Sequence, residues 1–271
     1  MNTEKVRLTK EKETLLITLY SRALHSRSAD PVLSDPWAEQ AVERIDYDFA
    51  SIKLTRLHPL TVAIRARQFD IFTQDWIAEH PASTVLHLGC GLDSRVYRVD
   101  PPPTVRWFDV DYPEVIDLRR KLYPARTSYQ MIASSLLEAG WLDEIPGDLP
   151  AMIVAEGVMM YLPADQGGPL LGRLAAHFPS GRMGFDALSR AGVRMAAADR
   201  SVSATGARFG WGLDDPQEVR QYAPQMELIA ELTTPRLPAW KRLPLAMRGL
   251  VQVMELFPKL RRMNRVLLYR F

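Results

Sequence analysis

The chain has 271 residues, of which 47% are hydrophobic and 24% charged, and its formal net charge is +2. This composition is ordinary for a soluble globular protein with a substantial core, and the charge argues for no particular partner. The single cysteine excludes an internal disulfide and gives no metal-binding cluster, which favours a reducing cytoplasm. The charged N-terminus is unlike a signal peptide, and no apolar run reaches the roughly 18 residues of a membrane span.

The first 80 residues are predicted to form a helical lead-in. Apolar side chains recur at helical spacing over residues 15–24. A second helix is predicted to begin at Asp35-Pro36, because aspartate caps a helix start and proline suits the first helical position. A third predicted helix, from about residue 59 to residue 79, carries Arg65 and Arg67, which taken alone are most simply a solvated face.

The central motif is a short apolar run that ends in Gly89-Cys90-Gly91. It predicts a buried strand followed by a tight turn that opens a helix, since a parallel strand is covered on both faces. Gly89 and Gly91 lack a Cβ, so the backbone can take unusual dihedrals and approach a ligand closely. Nucleotide-like ligands bind at such turns in α/β sheets, although similar turns also occur without a ligand.

A carboxylate follows at the end of the next predicted strand. Asp111 lies 20 residues after Gly91, where an aspartate can accept both ribose hydroxyls of a bound nucleoside. The alternative is that Asp109 and Asp111 only cap the helix beginning at Pro113. Because the glycine turn and the acid occur together, ribose binding is favoured.

The residues after the turn discriminate between nucleotides. A dinucleotide site has a third small residue that lets the helix pack beneath the pyrophosphate, and Ser94 stands at that place. The carboxylate of Asp93 is unfavourable beside a pyrophosphate. It is tolerable for S-adenosylmethionine, which carries an amino group and a sulfonium and no phosphate. The turn, extended to Arg95, therefore favours S-adenosylmethionine over a nicotinamide dinucleotide.

From residue 83 onward, predicted strands and helices alternate, which is typical of a mostly parallel sheet. Glycine, proline and aspartate punctuate the connections. The predicted strands are 83–88, 104–109, 128–133, 150–155 and 181–186, and the predicted helices lie near 113–123, 137–143 and 164–178.

The fourth of these strands leads into Glu156 and Gly157 and then to Tyr161. A carboxylate at the end of a buried strand is costly unless it is paired or hydrogen-bonded. We interpret Glu156 as a ligand contact, with capping of the helix after Pro163 as the alternative. Tyr161 either lines a ligand pocket or packs in the core.

A stretch rich in Ala, Ser, Gly and Arg, residues 187–211, separates the fifth strand from a helix predicted near Pro216. Its length fits an insertion over the strand ends. Each of its four arginines is most simply a surface charge: Arg190, Arg194, Arg200 and Arg208.

The last part of the chain is basic. Residues 226–234 are predicted as the sixth strand and 264–271 as the last, with an amphipathic helical segment over 238–263. Residues 236–271 carry nine lysines or arginines and one acid. We interpret this charge as a basic surface over a buried apolar stripe. Such a cluster could also attract nucleic acid, a membrane surface or an acidic carrier. No nucleic-acid-binding motif accompanies it, and with the stripe taken as buried we expect neither a nucleic-acid nor a membrane partner.

Three segments together resemble a known family: VLHLGCGLDSRVYRVD, WFDVDYPEVIDLRR and IVAEGVMMYLP. They are similar to the leucine carboxyl methyltransferase-like group of class I S-adenosylmethionine-dependent methyltransferases, and within it to polyketide O-methyltransferases of the tetracenomycin-pathway type. The resemblance covers most of residues 9–187. It implies a Rossmann-like α/β fold with a seven-stranded, mostly parallel sheet, an antiparallel last strand, a helical N-terminal lead-in and helical lid insertions.

The implied organisation is one methyltransferase domain over residues 1–271. It comprises an N-terminal cap (1–80), a cofactor-binding core (81–186), a lid and acceptor region (187–263) and the last strand (264–271). The insertion at 187–211 stands where this family builds its acceptor pocket, so its four arginines are together candidates for holding an acidic acceptor.

The resemblance also implies roles for residues. An arginine on the helix before the glycine strand binds the methionine carboxylate in this family; Arg65 fits that place and Arg67 is the alternative, because a guanidinium forms paired bonds to a carboxylate. Glu156 is expected to face the α-amino group or the ribose edge. Ser135 stands where the family often has an acid that holds the adenine, which is a departure. The expected cofactor-binding set is Arg65, Arg67, Gly89, Cys90, Gly91, Asp93, Arg95, Asp111, Tyr112, Ser135, Leu136, Glu156 and Gly157.

The expected activity is methyl transfer from S-adenosylmethionine to an oxygen of a small acidic, polyketide-like acceptor. A carboxylate is already ionised at neutral pH, whereas a phenol with a pKa of about 10 benefits from a general base. Tyr161 and His58 are the catalytic candidates, and the lack of a strong base favours a carboxylate acceptor. The alternatives are a peptide C-terminus as acceptor, a catalytically silent binding protein and a nicotinamide-dependent oxidoreductase.

Overall fold

A seven-stranded sheet forms the centre of the computed structural model, which describes residues 4–5, 14–197 and 209–271. The strand order is β3-β2-β1-β4-β5-β7-β6. All neighbouring pairs are parallel except those of β7, which runs antiparallel to both β5 and β6. This confirms the predicted mixed sheet with an antiparallel last strand. The strands are β1 Thr84–Leu88, β2 Arg106–Asp111, β3 Tyr129–Ala133, β4 Ala151–Ala155, β5 Gly181–Leu188, β6 Glu227–Leu232 and β7 Asn264–Arg270.

The apolar run of β1 is covered on both faces, as a parallel strand in the middle of a sheet requires. Leu86 and Leu88 pack into one core together with α6, whereas Val85 packs into a second core with α1, α3 and α5. The sheet therefore lies between two helical layers. The helices are α1 Thr14–Ser26, α2 Pro36–Arg44, α3 His58–Glu79, α4 Arg95–Val99, α5 Pro113–Leu122, α6 Ala164–His177, α7 Arg190–Ala197, α8 Leu245–Glu255 and α9 Pro258–Arg261.

The start of α2 confirms the predicted cap. The Asp35 carboxylate accepts a hydrogen bond from the Ala38 N–H, and Pro36 occupies the first helical position. Short 3₁₀ turns occupy several connections, and Glu4–Lys5 pairs in parallel with Ile45–Asp46. The 3₁₀ turns are Phe49–Ser51, Trp141–Glu144, Met159–Tyr161, Pro216–Gln221, Thr234–Arg236 and Trp240–Arg242.

The helix predicted over 137–143 is wrong. That connection contains a single 3₁₀ turn, Trp141–Glu144, which Gly140 precedes with a φ of 99°. A left-handed residue interrupts a helix at that point, and Pro146 ends the turn region shortly afterwards. The helix predicted near Pro216 is likewise a 3₁₀ turn, Pro216–Gln221.

The amphipathic segment predicted over 238–263 is helical only in pieces, and its apolar stripe is not buried. Pro244 and Pro258 lack the N–H that a continuing helix needs, so α8 and α9 are separate. We call residues 244–262 the C-terminal strap. Leu243, just before it, is buried, whereas the large apolar side chains of the strap are exposed or half-buried. No helix in the described ranges is long and apolar enough to cross a membrane.

Candidate active site

A cavity of about 460 Å³ opens at the carboxyl ends of β1, β2 and β4. The strand order reverses between β1 and β4, and ligands of open α/β sheets bind at such a switch point. A volume in this range suits a small-molecule ligand. The predicted residues that line the cavity are His58, Arg65, Gly89, Cys90, Gly91, Asp93, Asp111, Tyr112, Ser135, Leu136, Glu156, Gly157 and Tyr161.

The glycine turn has the left-handed backbone that its sequence predicts. Gly89 has a φ of 55° and Gly91 a φ of 49°. A Cβ on Gly89 would lie 2.5 Å from the Cγ2 atom of Val158, so the turn and the segment after β4 touch with no room between them. The Cys90 N–H donates to the Val110 carbonyl, which ties the turn to β2.

We expect Gly89→Ala to lower the free energy of unfolding by about 2–4 kcal/mol, because a left-handed alanine and the contact with Val158 both add strain. Denaturant unfolding measures this change. Adding Val158→Ala should recover the part that is due to the contact, and a double-mutant cycle isolates that part.

The matched control is Gly249→Ala on α8, where an added Cβ meets no atom within 4 Å. Alanine there should raise stability by about 0.5–1 kcal/mol through helix propensity. Unchanged stability in Gly89→Ala would contradict the described turn geometry.

Buried cations hold the carbonyl groups of the same turn. The Arg22 guanidinium on α1 donates to the Leu92 carbonyl at 2.8 Å. Arg119 on α5 donates to the carbonyls of Gly91 and Asp93, each at 2.8 Å. Sequence reasoning missed both arginines, because nothing in their local pattern distinguishes them from surface charges. Arg119 is fully buried and does not line the cavity, whereas Arg22 is buried and also lines the cavity.

The Asp111 carboxylate faces the glycine turn. It accepts hydrogen bonds from the N–H groups of Gly91 and Tyr112, each at 2.7 Å. Burial raises the pKa of Asp111 above its ordinary value despite these two bonds. Asp109, by contrast, does not line the cavity; it is buried and pairs with Arg119.

Glu156 lies between two arginines. It accepts from Arg65 Nε at 2.9 Å and from Arg95 Nη2 at 2.6 Å. Burial alone would raise the pKa of Glu156, but the charges of Arg65 and Arg95 lower it below its ordinary value. Asp186 on β5, which sequence reasoning missed, accepts from Arg65 at 3.0 Å and from the Gly157 N–H. Glu156 therefore pairs with arginines and does not cap the helix after Pro163, which was the alternative.

A buried ion-pair network continues below Glu156. Arg95 also pairs with Asp93 at 2.9 Å, and Arg98 joins Asp93, Asp35 and Asp70 at 2.7–2.9 Å. Burial would raise the pKa of Asp93, but Arg98 and its neighbouring arginines hold it well below the ordinary value. Asp93 therefore stays ionised at the cavity wall.

Two predicted cofactor residues do not line the cavity. Arg67, the alternative to Arg65, donates instead to the Gln74 side chain at 3.1 Å on its own helix. Arg95 is fully buried beneath the cavity, where it supports Asp93 and Glu156 rather than facing a ligand.

Some histidines line the cavity and others do not. His58 and His87 both line the cavity, and His87 lies 3.4 Å from the Asp109 carboxylate in mid-strand. His177 contacts the Ile145 carbonyl at 2.7 Å, and His25 accepts from the Val32 N–H at 2.9 Å. Tyr161 lines the cavity and stacks on Phe209, with ring centroids 5.1 Å apart.

The described part of the predicted acceptor insertion, residues 187–197 and 209–211, does not line this cavity. Arg190 pairs at the surface with Asp214 and Glu218, and Arg194 is not at the cavity wall. Arg200 and Arg208 lie outside the described residues. The wall beyond the strand ends comes instead from α1, the start of α3 and the segments around β6 and β7, with Thr14, Thr18, Thr61, Leu232, Thr234, Leu237, Leu243 and Asn264.

Comparison with known proteins identifies the family of this chain. The family Leucine carboxyl methyltransferase matches residues 15–175. The chain is 42% identical to the "Tetracenomycin polyketide synthesis O-methyltransferase TcmP" of Streptomyces glaucescens, over 99% of both chains. It is 34% identical to the "S-adenosyl-L-methionine-dependent methyltransferase dpfgK" of Gibberella zeae, over 82% of both chains.

Solved structures share the fold. The plantazolicin methyltransferase BpumL in complex with SAH gives a TM-score of 0.51 at 15% identity, covering 95% of this chain and 98% of that one. The magnesium protoporphyrin IX methyltransferase (ChlM) from Synechocystis PCC 6803 with bound SAH gives 0.50 at 10% identity, covering 85% and 92%. Given these matches, the chain belongs to the leucine carboxyl methyltransferase family and is an S-adenosylmethionine-dependent methyltransferase.

Proposed function

We propose that this enzyme methylates a carboxylate oxygen of a small acidic, polyketide-like acceptor and so forms a methyl ester. The observation that carries the proposal is that the carboxylates of the described cavity wall are all engaged. Asp93 and Glu156 are paired with arginines, and Asp111 accepts two backbone N–H groups. None is free to act as a general base, and an acceptor carboxylate, already ionised at neutral pH, needs none.

The residues of the cavity fit S-adenosylmethionine. Arg65 lines the cavity, where Glu156 accepts from its Nε atom and Asp186 from its Nη1 atom. We assign Arg65 to the methionine carboxylate and Glu156 to the α-amino group. Asp111 suits the ribose hydroxyls.

The adenine is assigned to the wall after β2 and β3, where Tyr112, Ser135 and Leu136 line the cavity. Without an acid there, backbone groups and apolar contact hold the base. The turn of Gly89, Cys90 and Gly91 lies under the methionine part.

When bound, S-adenosylmethionine supplies an electrophilic methyl group on a sulfonium. The task of the chain is to hold the acceptor oxygen in line with that methyl group and to keep water away from it. Proximity of this kind contributes on the order of 7–11 kcal/mol at best. Leu232, Leu237 and Leu243 give the cavity an apolar wall against which an acceptor scaffold can pack.

The scaffold class is supported by the full-length similarity to TcmP, whose name refers to polyketide synthesis. A phenolic acceptor is the second candidate, because His58 and Tyr161 line the same cavity and either side chain could serve as a base. A peptide C-terminus, the alternative acceptor, is also a carboxylate, but a peptide differs in size from a polyketide-like acid.

Incubation with methyl-labelled S-adenosylmethionine and matched panels of aromatic acids, phenols and short peptides tests the proposal. We expect label on the acids, in a product that mild alkali hydrolyses to methanol, as esters do and aryl ethers do not. We also expect His58→Asn and Tyr161→Phe each to retain at least about a tenth of the wild-type rate, since general-base catalysis contributes roughly 10²–10⁴-fold where it is used. Alkali-stable label, lost in either variant, would assign a phenol instead.

A further inference from the structure

The outer face of the C-terminal strap is apolar and exposed. Leu245 is 79% exposed, Leu256 76% and Phe257 54%, and Leu250, Val253 and Leu260 are exposed as well. Large apolar side chains of soluble proteins are seldom exposed together, and such patches mark interaction sites.

These side chains form a stripe rather than a scatter. Leu250 and Val253 lie three residues apart on one face of α8, and the exposed apolar side chains continue with Leu256, Phe257 and Leu260 through the turn after α8 into α9. Met247, Val251 and Met254 of α8 are half-buried. Helix α8 is thus apolar on two sides. One side packs partly against the rest of the chain, and the other is exposed.

Unpaired cations flank the stripe. Lys259 and Arg261 stand on either side of Leu260 at its end, Lys241 precedes it, and none of the three makes an ion pair with a described residue. Glu255 is the one acidic residue between residues 236 and 271. Arg242 and Arg262 are paired, with Asp30 and Glu231.

We propose that the C-terminal strap docks on an anionic lipid surface, with the apolar stripe inserted among the acyl chains and the flanking cations at the lipid phosphates. A helix with an apolar face and basic flanks lies in a membrane interface and prefers anionic lipids. The expectation of no membrane partner assumed that this stripe was buried, and its exposure removes that assumption.

Other occupants match the observations less well. A second copy of the chain would bring the same cations against each other, and like charges across an interface oppose association. A rigid acidic protein would need a groove matched to projecting leucine and phenylalanine side chains, whereas a lipid surface adapts to them. Leu237 and Leu243, which precede the C-terminal strap, line the cavity, so docking holds the cavity wall next to the lipid.

Vesicle flotation of the full chain tests the proposal with two compositions, phosphatidylcholine alone and an equimolar mixture with phosphatidylglycerol. We expect binding to the mixed vesicles only, weakening as salt is raised. Lys259→Gln with Arg261→Gln should reduce the partition coefficient about 30-fold, from roughly 1 kcal/mol per charge. Leu250→Ser with Phe257→Ser should reduce it by about 10-fold or more.

The matched control is Arg120→Gln with Lys121→Gln, which removes two exposed charges from α5. It should change partitioning by less than about threefold, since those charges flank no exposed apolar stripe. S-adenosylhomocysteine affinity should be the same in all variants, because none of these residues lines the cavity.

Three results would overturn the proposal. The first is no flotation with either vesicle. The second is a dimer in light scattering that dissociates in the Leu250 and Phe257 variant, which would assign the stripe to a second copy. The third is binding of polyglutamate without vesicle binding, reduced in the Lys259 and Arg261 variant, which would assign an acidic protein.

Discussion

Replacing Arg65 by alanine is expected to weaken S-adenosylhomocysteine binding by roughly 100-fold or more, because charge-assisted hydrogen bonds contribute about 1.5–3 kcal/mol each. Arg65 stands at the cavity wall, held at 2.9 and 3.0 Å by Glu156 and Asp186. Alanine removes the donor for the methionine carboxylate. It also leaves two buried carboxylates with one cation fewer, so the site becomes unfavourable for another anion.

Arg67→Ala is the matched control. Arg67 lies two residues further along α3, donates to Gln74 and does not line the cavity. Its removal should change the affinity by less than about threefold, since surface substitutions seldom have larger effects. Isothermal titration measures both variants, and circular dichroism verifies that each is folded.

Arg65→Lys separates charge from geometry. Lysine keeps the positive charge but cannot bond Glu156, Asp186 and a ligand carboxylate with one planar group. We expect an affinity between those of wild type and Arg65→Ala. Equal losses in the Arg65→Ala and Arg67→Ala variants would reject Arg65 as the carboxylate ligand.

Asp109→Asn is expected to lower the free energy of unfolding by about 3–5 kcal/mol, since it leaves the buried Arg119 without its counter-charge. Arg119 and Asp109 are both fully buried, and the Tyr129 hydroxyl donates to the same carboxylate at 2.6 Å. Because Arg119 also holds the carbonyls of Gly91 and Asp93, the glycine turn should loosen as well. Thermal unfolding should shift downward by on the order of 10 °C.

The same pair predicts an acid sensitivity. Burial would raise the pKa of Asp109, but the Arg119 charge and the neighbouring hydrogen bonds lower it to about 2, below the ordinary value of 3.8. A depressed carboxyl pKa stabilises the fold above its unfolded value, and that contribution is lost as pH falls from about 4 towards 2. It amounts to roughly 2 kcal/mol.

Asp109→Asn should therefore lose less stability than the wild type between about pH 4 and pH 2. The control is Asp148→Asn, which removes an exposed carboxylate paired with Arg106 at the surface. It should leave the melting temperature at neutral pH unchanged. An Asp109→Asn protein as stable as the wild type would show that the Arg119 pair is not a structural requirement.

The part of the site between the strand before Gly89 and Asp111 was predictable because its sequence signals are local. The strand before Gly89, the left-handed glycines and the distance to Asp111 all follow from residue type and spacing. The prediction failed over 137–143, where a helical pattern of residues contains a glycine. Gly140 adopts a left-handed conformation that stops a helix.

Charge pairing was not predictable in this way. Asp186 is more than one hundred residues from Arg65 in the chain, and the two meet only because β5 lies beside β4 while α3 packs across that face. Arg65 and Arg67 look alike in sequence, and the rotation of α3 against the sheet decides which one reaches the cavity.

By itself, the sequence determined the alternation of strands and helices, the glycine turn, the cap at Asp35 and the carboxylates at Asp111 and Glu156, because turn chemistry and hydrophobic period act over a few residues. Only the tertiary structure decided which arginine faces the cavity, which cations hold the turn, and that the C-terminal strap exposes its apolar stripe. Those properties depend on burial, and burial is set by which distant parts of the chain pack together.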